Sequence, residues 1–156
     1  MSLHYFIDGY NLIRSTDWLC AGSIDDQRDR LLQFLEQNRP TGSERNSVTV
    51  VFDGHVPKGG GPKSRSVRIL FSGDQDADSV IKSRVDELPN GRVAVVVTND
   101  RSIQKWVRGA HAKVLSCSEF LRLGADSASS PRRADKPSAE DERRINEELR
   151  RLWKLP

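Results

Sequence analysis

Ile7-Asp8-Gly9-Tyr10-Asn11-Leu12-Ile13 decides how the rest of the chain is read, because a short apolar run (Leu3, Tyr5, Phe6, Ile7) ends there abruptly in a carboxylate, a glycine and an amide. Apolar runs without polar alternation belong to strands covered on both faces, as in parallel sheets. Ligands of open α/β sheets gather outside the carboxyl ends of such strands. Asp8 therefore stands where a parallel sheet places its chemistry.

Three later segments repeat the pattern of an apolar strand followed by acid: 48–52 then Asp53, 67–71 then Asp74, Asp76 and Asp78, and 93–97 then Asp100. Any one of these aspartates is explained well enough by the frequency of Asp in loops and at helix N-caps. All of them together are not. If the strands lie parallel in one sheet, the carboxylates converge on one rim, where like charges raise one another's pKa unless a cation is present.

The remaining composition narrows the class. A chain of 156 residues suits one domain with a proper core. Its net charge of +3 permits nucleic-acid binding without requiring it. Cys20 and Cys117 are far apart and form no CxxC pair, so neither a zinc site nor a disulfide framework is expected. The start Met1-Ser2-Leu3-His4 has no basic segment, and the apolar run after it is too short for a signal or a membrane span. We expect a cytoplasmic protein with reduced thiols and no membrane partner.

Taken in order, Ser23 with Asp26 opens a helix whose face is Leu31, Leu32, Phe34 and Leu35, and Arg39-Pro40 stops it. After Asp53-Gly54, the stretch from His55 to Arg65 has no apolar periodicity and several cations, and reads as a mobile basic loop. Its glycines do not make a phosphate loop: Gly60 stands where the required Lys would be. Lys58, Lys63, Arg65 and Arg68, with His55 beside them, suit contact with a nucleic-acid backbone, against the plainer reading of a solvated loop. Ala77, Val80, Ile81, Val85 and Leu88 form the next helical face, with Asp78 in its first turn. Asp100 or Ser102 caps a helix carrying Ile103, Trp106 and Val107, and a short strand at 113–115 and a helix at 119–123 follow. Five strands alternating with helices make a three-layer α/β domain over 1–124. Residues 125–137 lack apolar anchors and read as a flexible linker. Over 138–156 an amphipathic helix is expected, its stripe of Ile145, Leu149, Leu152 and Trp153 suited to packing on the domain, a second subunit or a larger assembly.

With these residues in place, the chain resembles the NYN-domain ribonucleases of the PIN-like superfamily, in particular their YacP-like branch. The resemblance is carried by Asp8-Gly9-Tyr10-Asn11, by Val51-Phe52-Asp53-Gly54-His55 with Lys58-Gly59, by Ala77-Asp78 with Ile81 after Phe71, and by Thr98-Asn99-Asp100, and it covers residues 2 to about 123. It implies a five-stranded parallel sheet ordered 3-2-1-4-5 and a divalent-metal site that hydrolyses RNA, expected to act as an endonuclease. Asp8, Asp78 and Asp100 would be the metal ligands at its centre, within bridging reach of one another, with Asn11 beside them. Asp76 stands either as a further ligand or outside the set, and Asp53 and Ser102 would support the ligands from behind. Mg²⁺ or Mn²⁺ suits such oxygen donors and supplies a nucleophile without a side-chain base.

Two rivals remain. A non-catalytic RNA-binding protein could carry the same acidic rim. A haloacid-dehalogenase-like phosphatase ranks lower, because Tyr10 occupies the position where its second aspartate is needed.

Overall fold

The five expected strands form, and the computed structural model, which describes residues 2–42 and 45–129, sets them in one parallel sheet. They are β1 (His4–Asp8), β2 (Ser47–Phe52), β3 (Arg68–Phe71), β4 (Ala94–Val97) and β5 (Lys113–Leu115), in the order β3-β2-β1-β4-β5. Central β1 is paired on both sides, with Ile7 opposite Val50 of β2 and Val97 of β4. All three of these side chains are fully buried, which is why the strands read as unbroken apolar runs.

Alternation along β1 divides the core. Tyr5 and Ile7 face the layer built from α1 (Gly9–Arg14), α2 (Ile24–Asn38) and α5 (Cys117–Ser129), while Phe6 faces α3 (Ala77–Glu87) and α4 (Arg101–Gly109). The helix starts follow local chemistry. Ser23 Oγ accepts the Asp26 N–H at 3.1 Å to open α2. Ser116 and Glu119 exchange side-chain to backbone bonds of 3.2 Å each, a reciprocal capping box for α5.

Four local expectations change. The six-residue helix α1 follows β1 directly; it is too short to show a helical period in the sequence. A 3₁₀ turn over Gly91–Val93 precedes β4, which starts at Ala94 rather than 93. Helix α5 runs to Ser129, so the first part of the segment expected as a linker is helical. It is held where Gly124 meets Phe34 of α2, whose ring would lie 2.3 Å from a Cβ there. The rest of the expected linker and the helix at 138–156 lie outside the described residues.

The fourth change concerns the β2–β3 connection. It crosses from one edge of the sheet to the other without a helix, and it is tied down rather than free. Gly60 N–H closes a turn onto Pro57 O at 3.0 Å. Gly61 lies against the Phe71 ring, Ser64 Oγ donates to Glu36 Oε1, and Val67 is buried. Contacts of this kind were invisible in a stretch without apolar periodicity.

Gly9 is required where β1 turns into α1. A Cβ there would lie 2.5 Å from Phe52 Cε1 and 3.0 Å from Val50 Cγ1, and both residues are fully buried. Overpacking of this kind costs about 1–3 kcal/mol. Gly9→Ala should therefore lower the urea midpoint with an unchanged slope. A midpoint equal to that of the parent would show that the Phe52 ring can give way.

Candidate active site

The acidic rim is built at helix N-termini. Asp8 ends β1 and caps α1, its Oδ1 accepting the Asn11 N–H at 3.4 Å. Asp100 follows β4 and caps α4, its Oδ1 accepting from Ser102 N (2.9 Å), Ser102 Oγ (2.7 Å) and Ile103 N (3.3 Å). Asp76 caps α3 through Ser79 N at 2.8 Å, and Asp78 sits in the first turn of that helix. Strands β1 and β4 are neighbours, and α3 packs across β1 and β2, so Asp8, Asp78 and Asp100 share one edge.

Their electrostatics show that they feel one another. Burial pushes the Asp8 carboxyl up to about 6, and the negative charges of Asp78 and Asp100 push in the same direction, against the Asn11 N–H and Arg14. Asp78 is raised as well, by burial first and then by Asp100 and Asp76. Asp100 is held low, chiefly by its hydrogen bond from Ser102. Asp76 is also held low by Ser79 and is fully exposed, so it serves as a cap at the margin of the rim.

Supporting bonds hold the rim in place. Asn11 Oδ1 accepts the Asn99 N–H at 2.7 Å, while Asn99 Oδ1 accepts the Cys117 N–H at 2.9 Å, so the ends of β1, β4 and β5 are laced together. Thr98, fully buried, accepts the Asp100 N–H through its hydroxyl at 3.1 Å. Asp53 Oδ1 accepts Ser72 Oγ and the Ala77 N–H, both at 3.2 Å, which fastens the start of α3 to the β2 turn. Cys117, which the sequence did not single out, is buried beneath Asp8, and burial raises its thiol to about 12. Its thiol donates to Asn11 Oδ1 at 3.3 Å.

Tyr10 turns away from the rim. Its hydroxyl accepts Arg28 Nη2 at 2.8 Å, and its ring packs on Phe52 at 5.1 Å between centroids. The position where a phosphatase needs its second aspartate therefore presents neither a carboxyl nor the tyrosine hydroxyl to the rim.

The expected metal-bridging reach is not present in this conformation. Among the described residues no group of three or more Asp, Glu, His or Cys side chains stands ready to hold an ion. Asp8 and Asp100 each direct one oxygen, Oδ1, at a helix N-terminus. Their Oδ2 atoms make no hydrogen bond among the described residues. The donor chemistry of the rim, oxygen atoms of repelling carboxylates, nonetheless suits a hard divalent cation.

The basic residues divide into two groups. His55 stays at the acidic edge, with Nε2 3.0 Å from Asp74 Oδ1, and Lys58 follows it on the exposed crossover. Lys63, Arg65 and Arg68 lie toward the opposite edge, where Arg65 and Arg68 line a concavity of about 660 Å³ with His4 and Ser47, the first residues of β1 and β2. Lys82 was missed in the sequence, although it stands four residues after Asp78 and thus on the same helical face. Its charge helps hold Asp76 and Asp100 low and opposes the rise at Asp78, and its Nζ lies 5.8 Å from the Trp106 ring centroid. Together with Ser102 and Lys105 these residues line a groove of about 590 Å³ beside the rim.

A profile of the YacP-like NYN domain matches residues 5–154. The chain belongs to that family. It is 34% identical over 126 residues to the Bacillus subtilis protein YacP, covering 74% of this chain and 71% of that one. The crystal structure of Rae1 (YacP) from Bacillus subtilis superposes with a TM-score of 0.66 at 26% identity, covering 97% of this chain and 82% of that one. Its W164L mutant gives a TM-score of 0.64 at 28% identity, with coverages of 97% and 84%. The profile match extends past residue 123, where the resemblance read from motifs ended, and takes in most of the tail. NYN domains are typically nucleases, and among the described residues no helix is long and apolar enough to cross a membrane.

The strain at Asp8 should be measurable without any substrate. Its folded pKa of about 6 lies above the ordinary 3.8, so between those values the folded NYN domain binds a proton that the unfolded chain releases. The stability this confers is present below the unfolded pKa and is lost as pH rises through about 6. The difference is on the order of 3 kcal/mol for a shift of this size. Metal-free protein in EDTA should therefore melt higher near pH 5 than near pH 7, and Asp8→Asn should flatten that dependence. A wild-type melting temperature that does not change across this range would mean that Asp8 is solvated.

Proposed function

We propose that the protein is a divalent-metal-dependent endoribonuclease whose centre is Asp8, Asp78 and Asp100, with Mg²⁺ or Mn²⁺ as the ion. The observation that supports this best is the mutual charge effect of three carboxylates brought to one rim from β1, α3 and α4, two of them raised in pKa. A bound divalent ion would relieve that repulsion, neutralise the charge on a phosphodiester and supply a water-derived nucleophile near neutral pH.

The roles of the side chains follow from their surroundings. Asp8 and Asp78 would hold the ion once ionised, and Asp100 would offer the oxygen not used in capping α4. Asn11 positions the Asn99–Asp100 turn through its bond to Asn99 N–H and does not need to touch substrate. Asp53 holds the start of α3, and therefore Asp78, in register. Lys82 is placed to meet a phosphate that approaches the rim. No histidine acts as a base in this scheme.

RNA as the substrate is supported by family membership and by the cations bordering the rim. A second reading, RNA binding without turnover, is favoured by one observation, that Asp8 and Asp100 already spend an oxygen each on helix caps.

Asp78 separates the two readings. As a charge in the first turn of a helix it contributes only about 0.3–1 kcal/mol, so Asp78→Asn should stay folded. As a ligand its loss should slow cleavage by about a hundredfold or more. The assay is Mg²⁺-dependent cleavage of a circularised RNA, which only an endonuclease opens, with EDTA and Asp8→Asn as controls. Near-normal cleavage by a well-folded Asp78→Asn protein would remove this residue from the site, and a wild-type protein inert on RNA in either metal would leave the non-catalytic reading.

A further inference from the structure

The cations at the edge opposite the acidic rim require an explanation, since they cannot serve the scissile bond directly. Arg65, Arg68 and Arg84 border the concavity of about 660 Å³, over a partly apolar floor that includes Leu70 and Leu88, and Ser47 adds a hydroxyl. Arg65 and Arg68 are exposed, and among the described residues neither makes a hydrogen bond or an ion pair. Arg84 is held only loosely, with its Nη1 3.6 Å from Glu87 Oε2. Arg65 also lines the adjoining concavity of about 630 Å³, where Lys63 and Arg39 stand.

Guanidinium groups bind phosphate oxygens through a planar fork of donors, and their convergence over apolar surface suits a phosphate attached to a sugar and base. Glu87 lines the same concavity but is paired with Arg84, which leaves the guanidinium groups of Arg65 and Arg68 there without an ion pair among the described residues. We propose that this amino-edge cleft is a second phosphate-binding site, which holds the backbone of the RNA at a distance from the acidic rim. The inference rests on RNA being the substrate.

The geometry sets what such a site would do. The six residues of β2 run from one edge to the other, a distance of about 20 Å at roughly 3.3 Å per residue. The crossover from His55 to Val67 covers the same span beside edge strand β3. A short oligonucleotide seated at the rim cannot reach Arg65 and Arg68, whereas a longer one can follow the crossover and engage both. Affinity should therefore depend on length, and the added part should be sensitive to salt.

The test uses the full chain with Asp8→Asn, to prevent cleavage, and fluorescently labelled single-stranded RNA of four and of sixteen nucleotides, read by anisotropy over a range of salt. The triple variant Arg65→Ala/Arg68→Ala/Arg84→Ala should bind the longer RNA about tenfold more weakly, with the log K against log salt slope less steep by about 2, since each lost contact on a single strand contributes roughly 0.7. Binding of the shorter RNA should not change. If the triple variant melts abnormally, the exposed pair Arg65→Ala/Arg68→Ala carries the test, with the slope reduced by about 1.4.

An unchanged slope for the longer RNA, or equal losses for both lengths, would overturn the proposal. So would displacement of the longer RNA by low concentrations of a nucleoside triphosphate, which would make the cleft a mononucleotide site. Failure of the wild-type protein to cleave RNA bears on the nuclease reading alone, because the length dependence is measured without cleavage.

Discussion

The rim depends on keeping the Asp8 carboxylate partly out of water, at the end of the central strand, while Asp78 and Asp100 bring like charges beside it. Both conditions oppose ionisation, and the fold tolerates them because the rest of the sheet is strongly determined. Strands β2 and β4 pair with β1 along its length, and the side chains between the layers are almost entirely buried. A strand held that firmly has no freedom to withdraw its last residue. Gly9 then allows α1 to leave against Phe52, and Asn11 reaches over to fasten the turn that carries Asp100.

Capping and the proposed ligation would draw on the same carboxylates through different oxygens. Asp8 and Asp100 each close a helix N-terminus, a role generally worth about 1 kcal/mol, and the positive ends of those helices offset some of the repulsion along the rim. Such an arrangement keeps the carboxylates apart without an ion and leaves Oδ2 of each available. Asp76 differs, being both exposed and committed to Ser79.

The two edges of the sheet have opposite character. The carboxyl edge gathers aspartates with Lys82 among them, while the amino edge gathers arginines over a concave floor. Each connection between the parallel strands joins the two edges; the one from His55 to Val67 does so without the usual helix. Because it is pinned by Gly61 on Phe71 and by Ser64 on Glu36, it presents its cations at defined places along edge strand β3.

Much of this was legible in the chain alone. Unbroken apolar runs give buried parallel strands because both faces of such a strand are covered, and Asp8, Asp78 and Asp100 stand out because each follows one of those runs. Ser23 could be read as a cap from its spacing to Asp26, a contact that local geometry enforces. What only the tertiary structure decided were relations between residues distant in sequence. Asn11 bonds to Asn99 across 88 positions, Tyr10 is claimed by Arg28 of α2, and Arg65 and Arg68 fall on the edge away from the acids although their segment begins beside Asp53. Local patterning determines what each segment is, because periodicity and capping act over a few residues. Which side chains meet depends on strand order and crossover path, and those are settled only when the whole sheet is assembled.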